Sequence, residues 1–265
     1  MKNDIRFAFF GSSQFSQYVL EELQKVGYTP ALSITSARDP LPLETLRKLE
    51  ADVFIVASFG KILTEEIISM PKHKTLNVHP SLLPRLRGAS PIQGAILSGK
   101  KTGVSIMRLD EKMDHGPLLA QRKVTITPWP DHYGVVEKKL GQAGGELLSE
   151  ILPQWIEGKI PEIPQDESQA TYTKMFKKED GLLDLNDDSE TNFRKILAFS
   201  TWPGAYFFHE RKDGKKIRVR VTDAELENCD IENSLKTENC KLKIVSIVPE
   251  GKKEMLWADF LRGNL

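Results

Sequence analysis

Asp52-Val-Phe-Ile-Val-Ala57 holds five apolar residues in a row, three of them β-branched. A run this short and this apolar fits a strand covered on both faces, as in the centre of a parallel sheet. Upstream, Arg6 to Phe10 is a second such run, ending at Gly11. It is followed by helical spacing at Phe15, Val19, Leu20, Leu23 and Val26, with Gly27 as the stop. Ala31 to Ile34 predicts another strand, and Leu43, Leu46 and Leu49 a short helix. Downstream, a helix is expected over Gly60 to Ile68, a strand over Thr75 to His79 and a helix over Ala89 to Leu97. Strands follow at Gly103 to Leu109 and Leu118 to Ile126. A long helix carries Val136, Leu140, Ala143, Leu147, Ile151 and Trp155 on one face and stops near Gly158. Strands alternating with helices predict an α/β fold with a doubly wound, mostly parallel, Rossmann-like sheet over residues 1–158.

The pattern then changes. Residues 159–172 are polar and punctuated by proline, which reads as a linker. Residues 173–265 hold one more helix, around Phe193, Ile196 and Leu197, and afterwards only strand-like runs. A small C-terminal β domain of OB-like type is expected there.

Bulk composition narrows the classes. The 265 residues suffice for one large and one small domain. Lys plus Arg equals Asp plus Glu, 37 each, which argues against a protein that coats nucleic acid nonspecifically but leaves room for a local basic face. Met1-Lys-Asn-Asp-Ile-Arg6 lacks the apolar run of a signal peptide, and no stretch is long and apolar enough for a membrane span. The expectation is a cytoplasmic, monomeric protein without membrane association. Cys229 and Cys240 have no metal-site spacing, and free thiols are the expectation for a cytosolic chain. No metal site is predicted.

The chemistry-bearing residues cluster in Asn77-Val-His-Pro-Ser81-Leu-Leu-Pro84-Arg-Leu-Arg-Gly88 and Asp110-Glu-Lys-Met-Asp114-His-Gly116. Open α/β sheets bind ligands beyond the carboxyl ends of their strands. Asn77 and His79 lie at such an end, two residues apart and therefore on one face. Asp114 sits in a loop between two predicted strands. An amide donor, an imidazole and a carboxylate suit acyl transfer to an amine: Asn77 can donate to the developing oxyanion, His79 can donate to the same oxygen or shuttle a proton, and Asp114 can hold the imidazole or accept the amine proton, directly or through a water. Each residue also has a plainer reading, Asn77 as a turn former, His79 as a structural hydrogen-bonder and Asp114 as a surface charge.

These segments resemble the methionyl-tRNA branch of the formyltransferase family, together with Arg87-Gly-Ala-Ser-Pro-Ile-Gln93, Thr102-Gly-Val-Ser-Ile-Met107 and Trp202-Pro-Gly-Ala205. The resemblance implies a catalytic trio of Asn77, His79 and Asp114 and 10-formyltetrahydrofolate as formyl donor. It implies folate contacts at Ser81, Leu82, Leu83, Pro84 and Asp110, and initiator methionyl-tRNA, through its acceptor stem, as partner and acceptor. Arg38, Arg85, Arg87, Lys215 and Lys216 are the candidate substrate-binding cations; a solvated loop or strand is the alternative for each. One departure stands out. Ser33-Ile-Thr-Ser36 passes through Ala-Arg-Asp-Pro40 almost directly into a helix, where the family carries a long basic loop. The Leu226 to Asn239 region also reads as shortened. Transfer to a small amine, such as an amino sugar nucleotide, is therefore the second expectation. The basic residues around Asp213-Gly214 show no interleaved aromatics along the chain.

Overall fold

A computed structural model describes residues 5–227 and 240–264. The chain forms two compact units, one of residues 1–95, 101–126 and 135–174, the other of 96–100, 127–134 and 175–265.

In chain order the elements are β1 (Phe7–Phe10), α1 (Gln14–Lys25), β2 (Leu32–Ile34), α2 (Leu43–Lys48), β3 (Val53–Ala57), α3 (Glu65–Ile68) and β4 (Thr75–His79). There follow β5 (Arg87–Gly88), α4 (Pro91–Ser98), β6 (Thr102–Arg108), β7 (Leu118–Val124), α5 (Tyr133–Ile156) and β8 (Tyr172–Thr173). The first unit is built on a six-stranded sheet of order β2-β1-β3-β4-β6-β7. β1, β2, β3 and β4 pair in parallel, as the apolar runs predict. Every residue of β1, β3 and β4 is buried. The sheet becomes antiparallel at β6, which pairs with both β4 and β7 in that sense. The loop 109–117 explains the β6–β7 pairing, since it holds no crossover helix and a parallel pair needs a crossover; β4 and β6 are antiparallel although α4 lies between them.

Alternation along the strands distributes the two faces. Ala8, Phe10, Phe54 and Val56 pack with Leu46 of α2 and Ile67 of α3 in one apolar cluster. On the opposite face α5 crosses α1 so closely that glycines are needed. A Cβ on Gly145 would lie 2.6 Å from the Val19 carbonyl oxygen, and one on Gly144 would lie 2.6 Å from the Val78 side chain. Because Val78 faces α5, its neighbours Asn77 and His79 face the other way, with Thr75, whose hydroxyl donates to the Ile68 carbonyl at 2.8 Å. The strand period thus delivers the two polar residues to one face at the end of β4.

The second unit contains α6 (Ser189–Ala198), β9 (Ala205–Glu210), β10 (Lys216–Glu227), β11 (Lys241–Pro249), β12 (Met255–Leu256) and α7 (Trp257–Asn264). Its strands form an antiparallel sheet of order β12-β11-β10-β9. Asp188 caps α6 through the Thr191 amide at 2.7 Å. The β9–β10 register sets Arg218 opposite Phe208 and Arg220 opposite Tyr206. The Arg218 guanidinium lies 3.8 Å from the Tyr206 ring centre. Aromatics therefore do interleave with these cations, across the ladder rather than along the chain, where the sequence does not reveal them. Cys240 is disulfide-bonded, which corrects the expectation of a free thiol there; that expectation rested on compartment, not on geometry. Cys229 and most of the region read as shortened, residues 228–239, lie outside the described residues.

Candidate active site

Beyond His79 the chain turns through residues 80–90 in a loop whose polar groups are almost all committed. Ser105 of β6, fully buried, is the hub. Its hydroxyl donates to the Ser81 carbonyl at 2.7 Å and accepts from the Leu83 amide at 3.1 Å and from Gln121 Nε2 at 2.8 Å, which uses its whole hydrogen-bonding capacity. Gln121 Nε2 also donates to the Leu83 carbonyl at 2.8 Å. The Ser81 hydroxyl donates to the Arg85 carbonyl at 2.7 Å. Gly88 has φ +104°, and a Cβ there would lie 2.5 Å from the Thr173 carbonyl oxygen, so only glycine fits this close pairing of β5 with β8.

His79 is held between two loops. Its Nε2 lies 3.1 Å from the Leu86 carbonyl oxygen. A carbonyl only accepts, so Nε2 carries the hydrogen. Nδ1 faces Asp114 Oδ1 at 3.6 Å. Asp114 Oδ2 accepts the Gly88 amide hydrogen at 2.7 Å. The structure brings Asn77, His79 and Asp114 to this one region: Asn77 shares the His79 face of β4, and Asp114 reaches it from the loop after β6. Asn77 is 7% exposed, and its side-chain amide forms no hydrogen bond among the described residues. Its amide is not among the buried polar atoms left without a partner, so the tip reaches solvent, where a ligand can meet it.

Other expected contacts fall elsewhere. Ser81 is fully buried and Leu83 nearly so, which corrects their reading as pocket-lining residues: they face inward and fix the loop. Leu82 and Pro84 are half-buried beside them. Asp110 is engaged by its own loop, accepting from the Lys112 amide at 3.0 Å and lying 2.7 Å from His115 Nδ1. Arg85 and Arg38 are exposed, as are Lys215 and Lys216 at the β9–β10 turn of the second unit. Arg87 is the clearest correction. It is 1% exposed and cannot reach substrate phosphates. A cavity of about 340 Å³ adjoins the same loop, walled by Leu109, Asp110, Glu111, Lys112, His115 and Ile68.

The segment read as a linker is the part of the site that the sequence conceals. Ile163 exchanges two backbone hydrogen bonds with Leu118, at 2.8 and 2.9 Å. Thr171 binds the loop 80–90 through its backbone and its hydroxyl, the latter accepting from the Leu86 amide at 2.9 Å. The Arg87 guanidinium is gripped by Gln165, Glu167 and the Tyr172 hydroxyl. The Arg87 hydrogen bond holds the Glu167 carboxyl below its ordinary value. A lowered acid pKa stabilises the fold above the unfolded value and stops doing so as pH falls through the folded one. The stability difference between wild type and Glu167→Gln should therefore be present at pH 7 and close below about pH 4, as read by thermal unfolding across pH. A pH-independent difference would mean that shape, not charge, joins Glu167 to Arg87.

Residues 6–152 match the family model described as formyl transferase, and residues 175–265 match formyl transferase, C-terminal domain. The chain belongs to the formyl transferase family. Its relatives within that family include the methionyl-tRNA formyltransferase of Chloroflexus aggregans, 35% identical over 304 aligned positions that cover 98% of this chain and 97% of that protein. The methionyl-tRNA formyltransferase of Clostridium thermocellum has the same fold, with a TM-score of 0.65 at 16% identity over 91% of this chain and 99% of that one. So does HypX from Aquifex aeolicus, solved in complex with tetrahydrofolic acid, with a TM-score of 0.70 at 22% identity over 97% of this chain and 47% of that one. The Chloroflexus alignment is longer than the 265-residue chain, so at least 39 positions (304 less 265) are filled by the relative alone.

Proposed function

We propose that this chain transfers the formyl group of 10-formyltetrahydrofolate to the amino group of methionyl-initiator-tRNA, in the cytoplasm, at the start of protein synthesis. The observation that carries the reading is the free amide of Asn77 beside the His79–Asp114 pair, in a chain aligned almost end to end with a methionyl-tRNA formyltransferase. The methionyl amine attacks the formyl carbon and the carbonyl electrons move to oxygen. Asn77 donates to that oxygen, the kind of interaction worth about 3 kcal/mol in the transition state. The amine must also lose a proton. With Nε2–H committed to Leu86, the Nδ1 lone pair and the Asp114 carboxylate face each other, and a proton taken up between them turns two acceptors into an attractive pair. Collapse of the intermediate breaks the bond to the folate nitrogen, which takes a proton as it leaves. A cavity of about 340 Å³ borders residues 109–112, the loop that the family resemblance sets against the pterin.

A second acceptor, a small amine such as an amino sugar nucleotide, is favoured by one observation: Ile34 of β2 is joined to Leu43 of α2 without an intervening basic loop. Purified protein offered 10-formyltetrahydrofolate with charged initiator tRNA, or with amino sugar nucleotides, separates the two. Formylation of methionyl-tRNA is expected. Formylation of the sugar alone would move the chain to the second class, and formylation of neither would remove the enzymatic reading.

A further inference from the structure

We propose that Gln165, locked by Arg87, is a positioning residue for Asp114, so that the segment between the long helix and β8 sets the geometry of the proton-accepting pair. The proposal rests on the formyl-transfer reading above. Gln165 uses every hydrogen-bonding position of its side chain. Nε2 donates to the Asp114 carbonyl at 2.9 Å and to the Gly116 carbonyl at 2.7 Å. Oε1 accepts from Arg87 Nε at 3.1 Å and Nη2 at 2.8 Å. The guanidinium only donates, so the amide cannot flip, and its two hydrogens can point only at the Asp114 loop. Glu167 takes the other edge of the guanidinium, accepting from Nη1 at 3.0 Å and Nη2 at 2.6 Å.

What Gln165 holds needs holding. Asp114 has φ +51°, a left-handed conformation that is unfavourable for a non-glycine residue and persists where the surroundings enforce it. Its carboxylate is fixed by the Gly88 amide and its carbonyl by Gln165. The two anchors share one origin, because Gly88 follows Arg87 in β5 and is pinned by Thr173 of β8, whose hydroxyl donates to the Arg87 carbonyl at 3.1 Å. One segment, residues 163–173, therefore orients Asp114 through Gln165 and His79 through the loop that carries Leu86.

The test is Gln165→Ala, made in the wild type and in the Asp114→Asn background and assayed by single-turnover formyl transfer, with folate affinity and thermal midpoint measured alongside. A positioning role predicts a rate at least tenfold lower in the wild-type background, folate affinity within threefold, and almost no further loss once Asp114 is already asparagine, since the two substitutions then remove one function. The His79 imidazole nitrogen resonances should also shift in Gln165→Ala, a readout that needs no turnover. Unchanged resonances, or equal fractional losses of rate in both backgrounds, would overturn the inference. If the wild type transfers no formyl group to any acceptor, the proposed function falls, while the imidazole resonances still decide whether Gln165 orients the pair.

Discussion

Asp114→Asn is expected to lower the rate of formyl transfer by about a thousandfold while changing folate affinity by less than about threefold. The substitution is informative because so little else changes. Asparagine tolerates the left-handed backbone at φ +51° about as well as aspartate does, and its side-chain oxygen still accepts from the Gly88 amide. What it removes is the charge opposite His79 Nδ1, and with it the attraction that would hold a proton between the two. Single-turnover rates against a folate-binding titration make the measurement. Comparable losses in rate and affinity would mean that Asp114 serves binding or loop shape, and the proton would need another acceptor.

Asn77→Ala is expected to lower the rate by about a hundredfold to a thousandfold without lowering the thermal midpoint. Truncating a buried polar residue usually orphans its partner, at a cost of about 1–3 kcal/mol. Here the amide has no partner among the described residues, so nothing is orphaned and the fold loses only a few van der Waals contacts. Rate and stability should separate cleanly in parallel kinetic and calorimetric measurements. A marked fall in the thermal midpoint with a modest change in rate would show that Asn77 belongs to the packing of β4 and not to the reaction.

The central strands and the placement of the trio were readable because they depend on local rules. The run Val53 to Ala57 is buried throughout, and the two-residue period put Asn77 and His79 on one face. The long helix followed from its spacing, and its path over α1 is bound up with glycines whose neighbours the sequence does not name. The reversal of β6 was hidden because Gly103 to Leu109 looks the same running either way. Arg87 was misjudged for a related reason. An arginine in a polar loop is solvated by default, and the residues that bury it lie 78 to 85 positions away, in a segment whose prolines suggest a tether. A pattern of Gln165, Glu167 and Tyr172 has no period to detect; only pairing across the fold gives it meaning.

The dependence of the site on residues 163–173 also changes where a minimal version of this catalyst can be cut. A fragment ending with α5 at Ile156 would contain the six-stranded sheet and all three of Asn77, His79 and Asp114. It would nevertheless leave the Arg87 guanidinium without Gln165, Glu167 and Tyr172, strip β5 of its partner strand, and free the Asp114 carbonyl. Domain dissection, fusion and permutation of this chain should accordingly keep everything through Lys174 together, because here the inventory of reactive groups and the scaffolding that aims them end at different residues.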